Sequence, residues 1–176
     1  GKVFSDELNV LGTAFWLKDY NVLITCSHVI NDIIRLPLEL VGLLVVGKRG
    51  QNQRATISHI DYQHDLAILT LVDANTGMPL DPKIIENEAT EGLTLCDNYP
   101  ETGAPIAWSS YPLGNLLLNQ IHEPTYSEGV IGVQKRDEGN RRCVQISGTV
   151  VGGYSGSPVV EKQTGNVIGV VDNGPQ

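Results

Sequence analysis

Three short segments of this chain carry the residue types that nucleophilic catalysis by a serine requires. His28 follows an apolar run, Asp65 precedes another, and Ser155 lies in a glycine-rich segment near the end of the chain. Such catalysis needs a hydroxyl nucleophile, a base that takes its proton, and a carboxylate that holds the base in one tautomer. We therefore predict that His28, Asp65 and Ser155 form a catalytic triad.

The serine segment runs Gly-Gly-Tyr-Ser-Gly-Ser-Pro from Gly152 to Pro158. Gly153 lies two residues before Ser155, so their backbone N–H groups can converge on a developing oxyanion if the turn adopts a conformation that glycine tolerates. We predict that Gly153 and Ser155 supply the oxyanion hole. The alternative is an ordinary tight loop, because Gly, Ser and Pro are common turn residues.

Other histidines and aspartates compete for two of these roles. His28 is preferred because it ends a buried strand, where one side of the ring can be fixed and the other left open. Asp65 is preferred because a carboxylate at the start of a buried apolar run needs hydrogen-bond partners, and an imidazole N–H is a good one. The alternatives are a structural histidine and a turn aspartate that accepts local backbone bonds. The competing histidines are His59, His64 and His122, and the competing aspartates are Asp61, Asp73 and Asp172.

The elements that must position these residues are predicted to be β-strands. The chain of 176 residues contains 19 glycines and nine prolines among many Val, Ile and Thr residues, which favours strands joined by turns. The predicted strands of the first half are residues 8–17, 22–25, 42–47, 54–61 and 66–72. Those of the second half are residues 105–110, 127–134, 142–147, 157–160 and 166–171. Helical periodicity is limited to the stretch after His28 and to residues 81–88, so the predicted class is all-β.

The predicted strands fall into two clusters joined by a polar, acidic, turn-rich stretch. We predict an N-terminal barrel over residues 1–80, a linker over residues 81–103 and a C-terminal barrel over residues 104–176, with approximate boundaries. His28 and Asp65 lie in the first cluster and Ser155 lies in the second. The predicted site therefore assembles in the cleft between the two clusters.

Together these segments resemble the trypsin-like serine peptidases of the chymotrypsin fold, and the HtrA-type branch of that family most. The likeness extends to Gly12-Thr13-Ala14-Phe15, Asp61, Tyr111-Pro112-Leu113-Gly114, Gly129-Val130-Ile131 and Val167-Ile168-Gly169-Val170. It implies two six-stranded-type antiparallel β-barrels with the active site between them. It also implies that His28 is the general base, that Asp65 orients it, and that Ser155 attacks a protein or peptide substrate without a cofactor.

The resemblance places the primary substrate pocket at Thr149, Val150 and the stretch from Asp172 to Gly174. Thr149 is uncharged, which favours a small or medium apolar side chain in the substrate. Asp172 leaves a preference for a basic side chain open.

Two departures from the family bear on regulation. Tyr154 stands where digestive members carry the aspartate that buries a newly cut N-terminus, so no such zymogen switch is implied. The sequence stops at Gln176, before a further strand of the family, so we expect the second barrel to be incomplete at this end. We therefore expect activity to depend on an adjoining domain or a partner protein.

Composition argues against several other functions. The net charge of −8 and the pI near 4.8 disfavour nucleic-acid binding. No apolar run is long enough for a membrane span, and no signal peptide is recognisable at Gly1. The cysteines Cys26, Cys96 and Cys143 are few and odd in number, so we expect free thiols and a reducing, cytoplasmic location. No Cys or His pair has metal-ligand spacing, so no metal site is expected.

Three functional hypotheses follow from these patterns. The first is an active serine endopeptidase. The second is a non-catalytic module that binds or regulates peptides on the same fold, and the third is a viral-type peptidase that processes a polyprotein.

Overall fold

The computed structural model describes residues 2–4, 10–34, 43–46, 52–88, 92–111, 124–136, 141–150 and 153–172. These residues form twelve strands and two helices, and the strands make two curled antiparallel sheets. The first sheet contains β1 (Lys2–Phe4), β2 (Val10–Thr13), β3 (Phe15–Leu17), β4 (Val22–Thr25), β5 (Leu43–Val46), β6 (Asn52–Asp61) and β7 (Leu66–Val72). The second contains β8 (Pro105–Ser110), β9 (Thr125–Arg136), β10 (Arg142–Ser147), β11 (Pro158–Glu161) and β12 (Val167–Val170). The helices are α1 (Ser27–Ile34) and α2 (Pro82–Glu88).

The first sheet closes on itself. Its strand order is β2-β1-β5-β6-β7-β4-β3, and its two end strands, β2 and β3, are separated in the chain only by Ala14. The predicted single strand 8–17 is therefore two strands, because the chain changes its pairing partner from β1 to β4 at this point. With β2 and β3 counted as one bent strand, the sheet is a six-stranded barrel.

The second sheet has the order β10-β9-β8-β11-β12 and forms a half-barrel. In the described part of the chain, the two end strands of this sheet, β10 and β12, do not pair with each other. The all-β, two-barrel prediction is confirmed, with this difference in strand number between the two halves. The predicted barrel and linker boundaries stay predictions, although β1–β7 precede residue 81 and β8–β12 follow residue 103.

Each sheet encloses its own apolar core. Alternate residues of a strand face the same side, so every second side chain of a strand can point into that core. Along β7, Ala67, Leu69 and Leu71 are buried, while the residues between them are half-buried. The largest fully buried side chains of the first core are Trp16, Ile30, Leu69 and Ile85, and those of the second are Ile106, Trp108 and Ile131.

A third, smaller cluster joins the two halves. Phe15 and Leu17 of β3 are buried against Val167 of β12. Short bridges add to this junction, since Leu93 pairs with Leu17 and Leu95 pairs with Val167. The segment between the barrels is thus packed against both of them.

Three further expectations concern cysteines and membranes. Cys26, Cys96 and Cys143 are free thiols, as expected. Neither helix in the described part of the chain has the length and apolar character needed to cross a membrane. The expected cytoplasmic location stays a prediction.

Candidate active site

Asp65 and His28 form a hydrogen-bonded pair at one end of the first barrel. Asp65 ends the turn between β6 and β7 and has a φ of 53°, a left-handed conformation that aspartate tolerates better than most residues. His28 is the second residue of α1, which follows β4 directly. The distance between His28 Nδ1 and Asp65 Oδ2 is 2.6 Å. The structure thus brings together two of the three predicted triad residues.

The second oxygen of Asp65 holds the start of α1. Its Oδ1 accepts hydrogen bonds from Ser27 Oγ at 2.6 Å and from the backbone N–H of His28 at 3.0 Å. The backbone N–H of Ser27 donates to the Asp65 carbonyl oxygen at 3.1 Å. The first N–H groups of a helix lack partners within the helix, so this carboxylate acts as a cap supplied from a distant turn. Ser27 was not among the predicted site residues, although a hydroxyl residue just before a candidate histidine was a usable signal.

These contacts lower the pKa of Asp65 and raise that of His28, and both shifts favour the charged forms of the pair. Burial opposes ionisation of Asp65, but hydrogen bonds from His28 and Ser27 outweigh it and hold the pKa of this carboxyl well below its usual value. The hydrogen bond with Asp65 raises the pKa of His28, partial burial opposes the rise, and the negative charges of Asp65 and Asp172 add to it. Asp65 therefore stays ionised and favours a protonated His28.

The competing residues take other partners. His64 Nδ1 lies 2.7 Å from Asp61 Oδ2, in an exposed pair at the same turn as Asp65. Residues 62–65 form a turn, so His64 and Asp65 are adjacent in the chain but take different partners. Asp73 accepts hydrogen bonds within its own turn, and His59 is exposed on β6. His122 lies outside the described residues.

Ser155 lies at the junction of the two halves. Its carbonyl oxygen accepts a hydrogen bond from the backbone N–H of Thr13 at 2.9 Å, which ties the serine segment to β2 of the first barrel. The residue is 3% exposed, and its Oγ has no hydrogen-bond partner among the described residues. The His28–Asp65 pair is therefore formed in this structure, while the Ser155 hydroxyl is not hydrogen-bonded to His28.

The backbone around Ser155 depends on glycine. Gly153 has a φ of 91° and Gly156 has a φ of 86°, both in the region where glycine is favoured. The carbonyl oxygen of Gly153 accepts a hydrogen bond from Thr13 Oγ1 at 3.0 Å. Tyr154, at the position of the aspartate of digestive peptidases, is buried in the second core.

A substitution at Gly156 is expected to be strongly destabilising. A Cβ there would overlap the Thr13 carbonyl oxygen and lie 2.5 Å from Thr25 Oγ1, in addition to the conformational penalty. We expect Gly156→Ala to lower the free energy of unfolding by about 3 kcal/mol or more. Gly165→Ala is the matched control, since Gly165 has a φ of 74° and a Cβ added there would meet no atom within 4 Å. Urea denaturation of both variants measures the difference, and equal losses would contradict the predicted overlap.

Asp172 lies beside the His28–Asp65 pair. Arg141 Nη1 is 3.7 Å from Asp172 Oδ2. Burial raises the pKa of Asp172, and the charge of Asp65 and a hydrogen bond with it raise it further, against the opposing charges of His28 and Arg141. Asp172 thus lies near the pair, and Asp65 rather than Asp172 is the hydrogen-bond partner of His28.

The predicted substrate pocket is only partly described. Thr149 and Val150 follow β10 and are exposed, and Asp172 follows β12 with a partly exposed side chain. Gly174 lies outside the described residues. The pocket therefore stays a prediction.

Cys26 lies beneath the His28–Asp65 pair and connects the two halves. Its Sγ donates to the Val171 carbonyl oxygen at 3.3 Å. Burial, followed by the negative charges of Asp65 and Asp172, raises the pKa of the Cys26 thiol. Cys26, His28 and Asp65 are the one group in the described part of the chain whose ligand atoms, all within 4.8 Å of one another, would admit a metal ion. The Nδ1 of His28 and the carboxylate of Asp65 are, however, already hydrogen-bonded to each other.

Comparison with known proteins identifies the family of this chain. A family model described as a trypsin-like peptidase domain matches residues 12–170. A search of curated proteins finds no match. The family match covers all three predicted triad residues.

Several solved structures share this fold. Deg5 superposes with a TM-score of 0.70 at 19% identity, and the alignment covers 98% of this chain and 78% of Deg5. The protease Rv3671c of M. tuberculosis H37Rv, in an inactive form, gives 0.67 at 22% identity over 99% of this chain and 76% of that one. The HtrA-type protease AlgW, solved with a decapeptide, gives 0.66 at 21% identity over 93% of this chain. This chain spans 43% of the length of AlgW.

Proposed function

This chain belongs to the family of trypsin-like peptidase domains, and from that premise we propose that it is a serine endopeptidase. The observation that carries the proposal is the 2.6 Å hydrogen bond between His28 Nδ1 and Asp65 Oδ2, which leaves Nε2 of His28 as the base. Nε2 takes the proton of Ser155 Oγ while Oγ attacks the carbonyl carbon of the substrate peptide. The N–H groups of Gly153 and Ser155 stabilise the resulting oxyanion.

The remaining steps return the proton. His28 donates it to the departing amine as the peptide C–N bond breaks, and an acyl-enzyme remains on Ser155. A water molecule then attacks the acyl group while His28 again acts as base, and the proton passes back to Ser155 Oγ. Asp65 stays ionised throughout, because its hydrogen bonds keep the pKa of its carboxyl low.

We further propose that the resting state is latent. Support comes from the Ser155 hydroxyl, which is buried and has no hydrogen-bond partner among the described residues. Attack requires this hydroxyl to reach His28 and the substrate, so a small rearrangement must come first. An adjoining domain, a partner protein or the substrate peptide can bias that equilibrium if it binds the rearranged state more tightly.

The proposed substrate is a protein or peptide bound in extended form. AlgW was solved with a decapeptide, which supports peptide binding on this fold. We assign the primary pocket to Thr149, Val150, Asp172 and Gly174, with a preference for a small or medium apolar side chain. Burial and the charge of Asp65 raise the pKa of Asp172, whereas the charges of His28 and Arg141 oppose the rise. Asp172 therefore keeps a preference for a basic side chain open.

Reaction with a fluorophosphonate tests the proposal. We expect covalent labelling at Ser155, located by mass spectrometry after proteolysis. Ser157→Ala is the matched control, since Ser157 Oγ donates to the buried Ser110 Oγ at 2.7 Å and has no catalytic role in this assignment. This variant should still be labelled at Ser155. The latent resting state predicts faster labelling when an adjoining domain or a peptide ligand is present, and equal rates would contradict it.

The second candidate is a non-catalytic peptide-binding module. It is favoured by the same buried hydroxyl, because a cleft that only binds peptides has no need of an accessible nucleophile. Peptide binding without fluorophosphonate labelling under any condition would support this candidate over the endopeptidase.

A further inference from the structure

The turn around Ser155 (residues 153–156, called here the serine turn) needs an anchor from outside. Two of its four residues are glycines with positive φ, so ordering it loses much backbone entropy. Tyr154, which stands where digestive members of the family carry an aspartate, is buried in the second core. The described contacts place an anchor on this turn that comes from the first barrel.

That anchor is Thr13, at the end of β2. Its Oγ1 donates to the Gly153 carbonyl oxygen at 3.0 Å, and its backbone N–H donates to the Ser155 carbonyl oxygen at 2.9 Å. Thr13 therefore binds the carbonyl groups on both sides of Tyr154. Gly153 is 140 positions away in the chain, so this contact depends on the packing of the two halves.

Thr13 is itself held by a complete set of hydrogen bonds. Its Oγ1 accepts the backbone N–H of Tyr111 at 3.2 Å, and its carbonyl oxygen accepts Thr25 Oγ1 at 2.8 Å. The residue is 2% exposed, so solvent does not compete with these bonds. A buried hydroxyl that both donates and accepts has a defined orientation, and removing it takes one hydrogen bond from the Gly153 carbonyl oxygen and one from the Tyr111 N–H.

We propose that Thr13 is a positioning residue whose hydroxyl holds the serine turn in the geometry needed to stabilise the oxyanion. The inference rests on the proposed endopeptidase function. The donors assigned to the oxyanion are the N–H groups of Gly153 and Ser155, and Thr13 fixes the carbonyl group of each of these residues. Thr13 acts through the turn and does not touch the substrate.

The proposal predicts a specific kinetic effect. Misplacing oxyanion donors weakens binding of the transition state more than binding of the substrate. We expect Thr13→Val, which keeps the shape but removes the hydroxyl, to lower kcat by about 10- to 100-fold with KM changed by less than about threefold. Thr13→Ser keeps the hydroxyl and should retain kcat within about threefold of wild type.

Hydrogen–deuterium exchange of the serine turn gives a readout that does not depend on activity. We expect faster exchange across residues 153–156 in Thr13→Val and near wild-type exchange in Thr13→Ser. Thr70→Val is the matched control, because Thr70 Oγ1 hydrogen-bonds Ser58 Oγ on the outer side of the first barrel. It should leave both the exchange of the turn and kcat unchanged. If Thr13→Val does not fold, Thr13→Ala compared with Thr13→Ser isolates the hydroxyl in the same way.

The outcomes separate this inference from the proposed function. Unchanged exchange in a folded Thr13→Val or Thr13→Ala protein would overturn the anchoring role. Equal losses of kcat in Thr13→Ser and Thr13→Val would overturn the role of the hydroxyl. If the wild-type protein cleaves nothing, the endopeptidase assignment fails and the oxyanion part of this inference fails with it, while the exchange result still decides whether Thr13 holds the turn.

Discussion

Replacing Ser155 with alanine is expected to lower the rate of peptide cleavage by about a thousandfold or more. The reason is that Ser155 Oγ is the proposed nucleophile, and no neighbouring group replaces it in the same position. The variant should remain as stable as the wild type or become slightly more stable, because the hydroxyl that is removed is buried and lacks a hydrogen-bond partner among the described residues. Peptide cleavage and thermal unfolding of the same preparations measure both effects.

The combination of lost activity and retained stability is the informative result. A serine that merely filled space in a structural turn would change stability without a selective effect on cleavage. A Ser155→Ala protein that keeps more than about a hundredth of the wild-type rate would remove Ser155 from its assigned role.

Replacing Asp65 with asparagine is expected to lower kcat by about a thousandfold to ten-thousandfold, the scale known for the loss of such a carboxylate. An amide carries no negative charge, so it neither stabilises the imidazolium nor holds His28 in the tautomer with its proton on Nδ1. The substitution also weakens the cap of α1, since Asp65 Oδ1 accepts hydrogen bonds from Ser27 and His28. Steady-state kinetics with a peptide substrate measure the loss.

The same substitution should move the pH dependence of the reaction. Asp65 raises the pKa of His28, mainly through their hydrogen bond, and His28 must be neutral to act as base. In the wild type the rate therefore rises with pH through the raised pKa of His28. In Asp65→Asn this rise should occur at lower pH, because the main cause of the raised value is gone.

The pair also predicts how stability depends on pH. The raised pKa of His28 stabilises the folded protein below the unfolded value of about 6.5, and this contribution is lost as the pH rises through the folded value. The lowered pKa of Asp65 stabilises the folded protein at pH values above the unfolded-state pKa of about 3.9, and that contribution is lost as the pH falls through the folded-state pKa. The difference in free energy of unfolding between the wild type and Asp65→Asn should thus be largest at pH values between the unfolded-state pKa values of Asp65 and His28.

The protein contains its own control for this experiment. Asp61 and His64 form a pair with nearly the same geometry, 2.7 Å between His64 Nδ1 and Asp61 Oδ2, but it is exposed and makes no described contact with Ser155. Asp61→Asn should leave kcat within about threefold of wild type. A loss as large as that of Asp65→Asn would show that the wrong pair was assigned.

Much of the fold could be predicted from local patterns. The nearly continuous apolar run of residues 66–72 and the short run 22–25 indicated strands at the bounds observed, because a short apolar run of this length is typical of a buried strand. The short helices after His28 and near residues 82–88 were also predicted. The division of residues 8–17 into two strands was not, since it follows from a change of pairing partner that leaves no mark in local hydrophobicity.

The sequence by itself determined the family, the all-β class and the residues to consider for catalysis, because these depend on short motifs and their order. Only the tertiary structure decided which of these residues meet. It paired His28 with Asp65 and His64 with Asp61, although Asp65 is adjacent to His64 in the chain. It also added Ser27, and it joined Thr13 to the serine turn. Such contacts depend on how a turn bends and how two curled sheets pack, and these long-range geometries are not encoded in the spacing of residues along one strand.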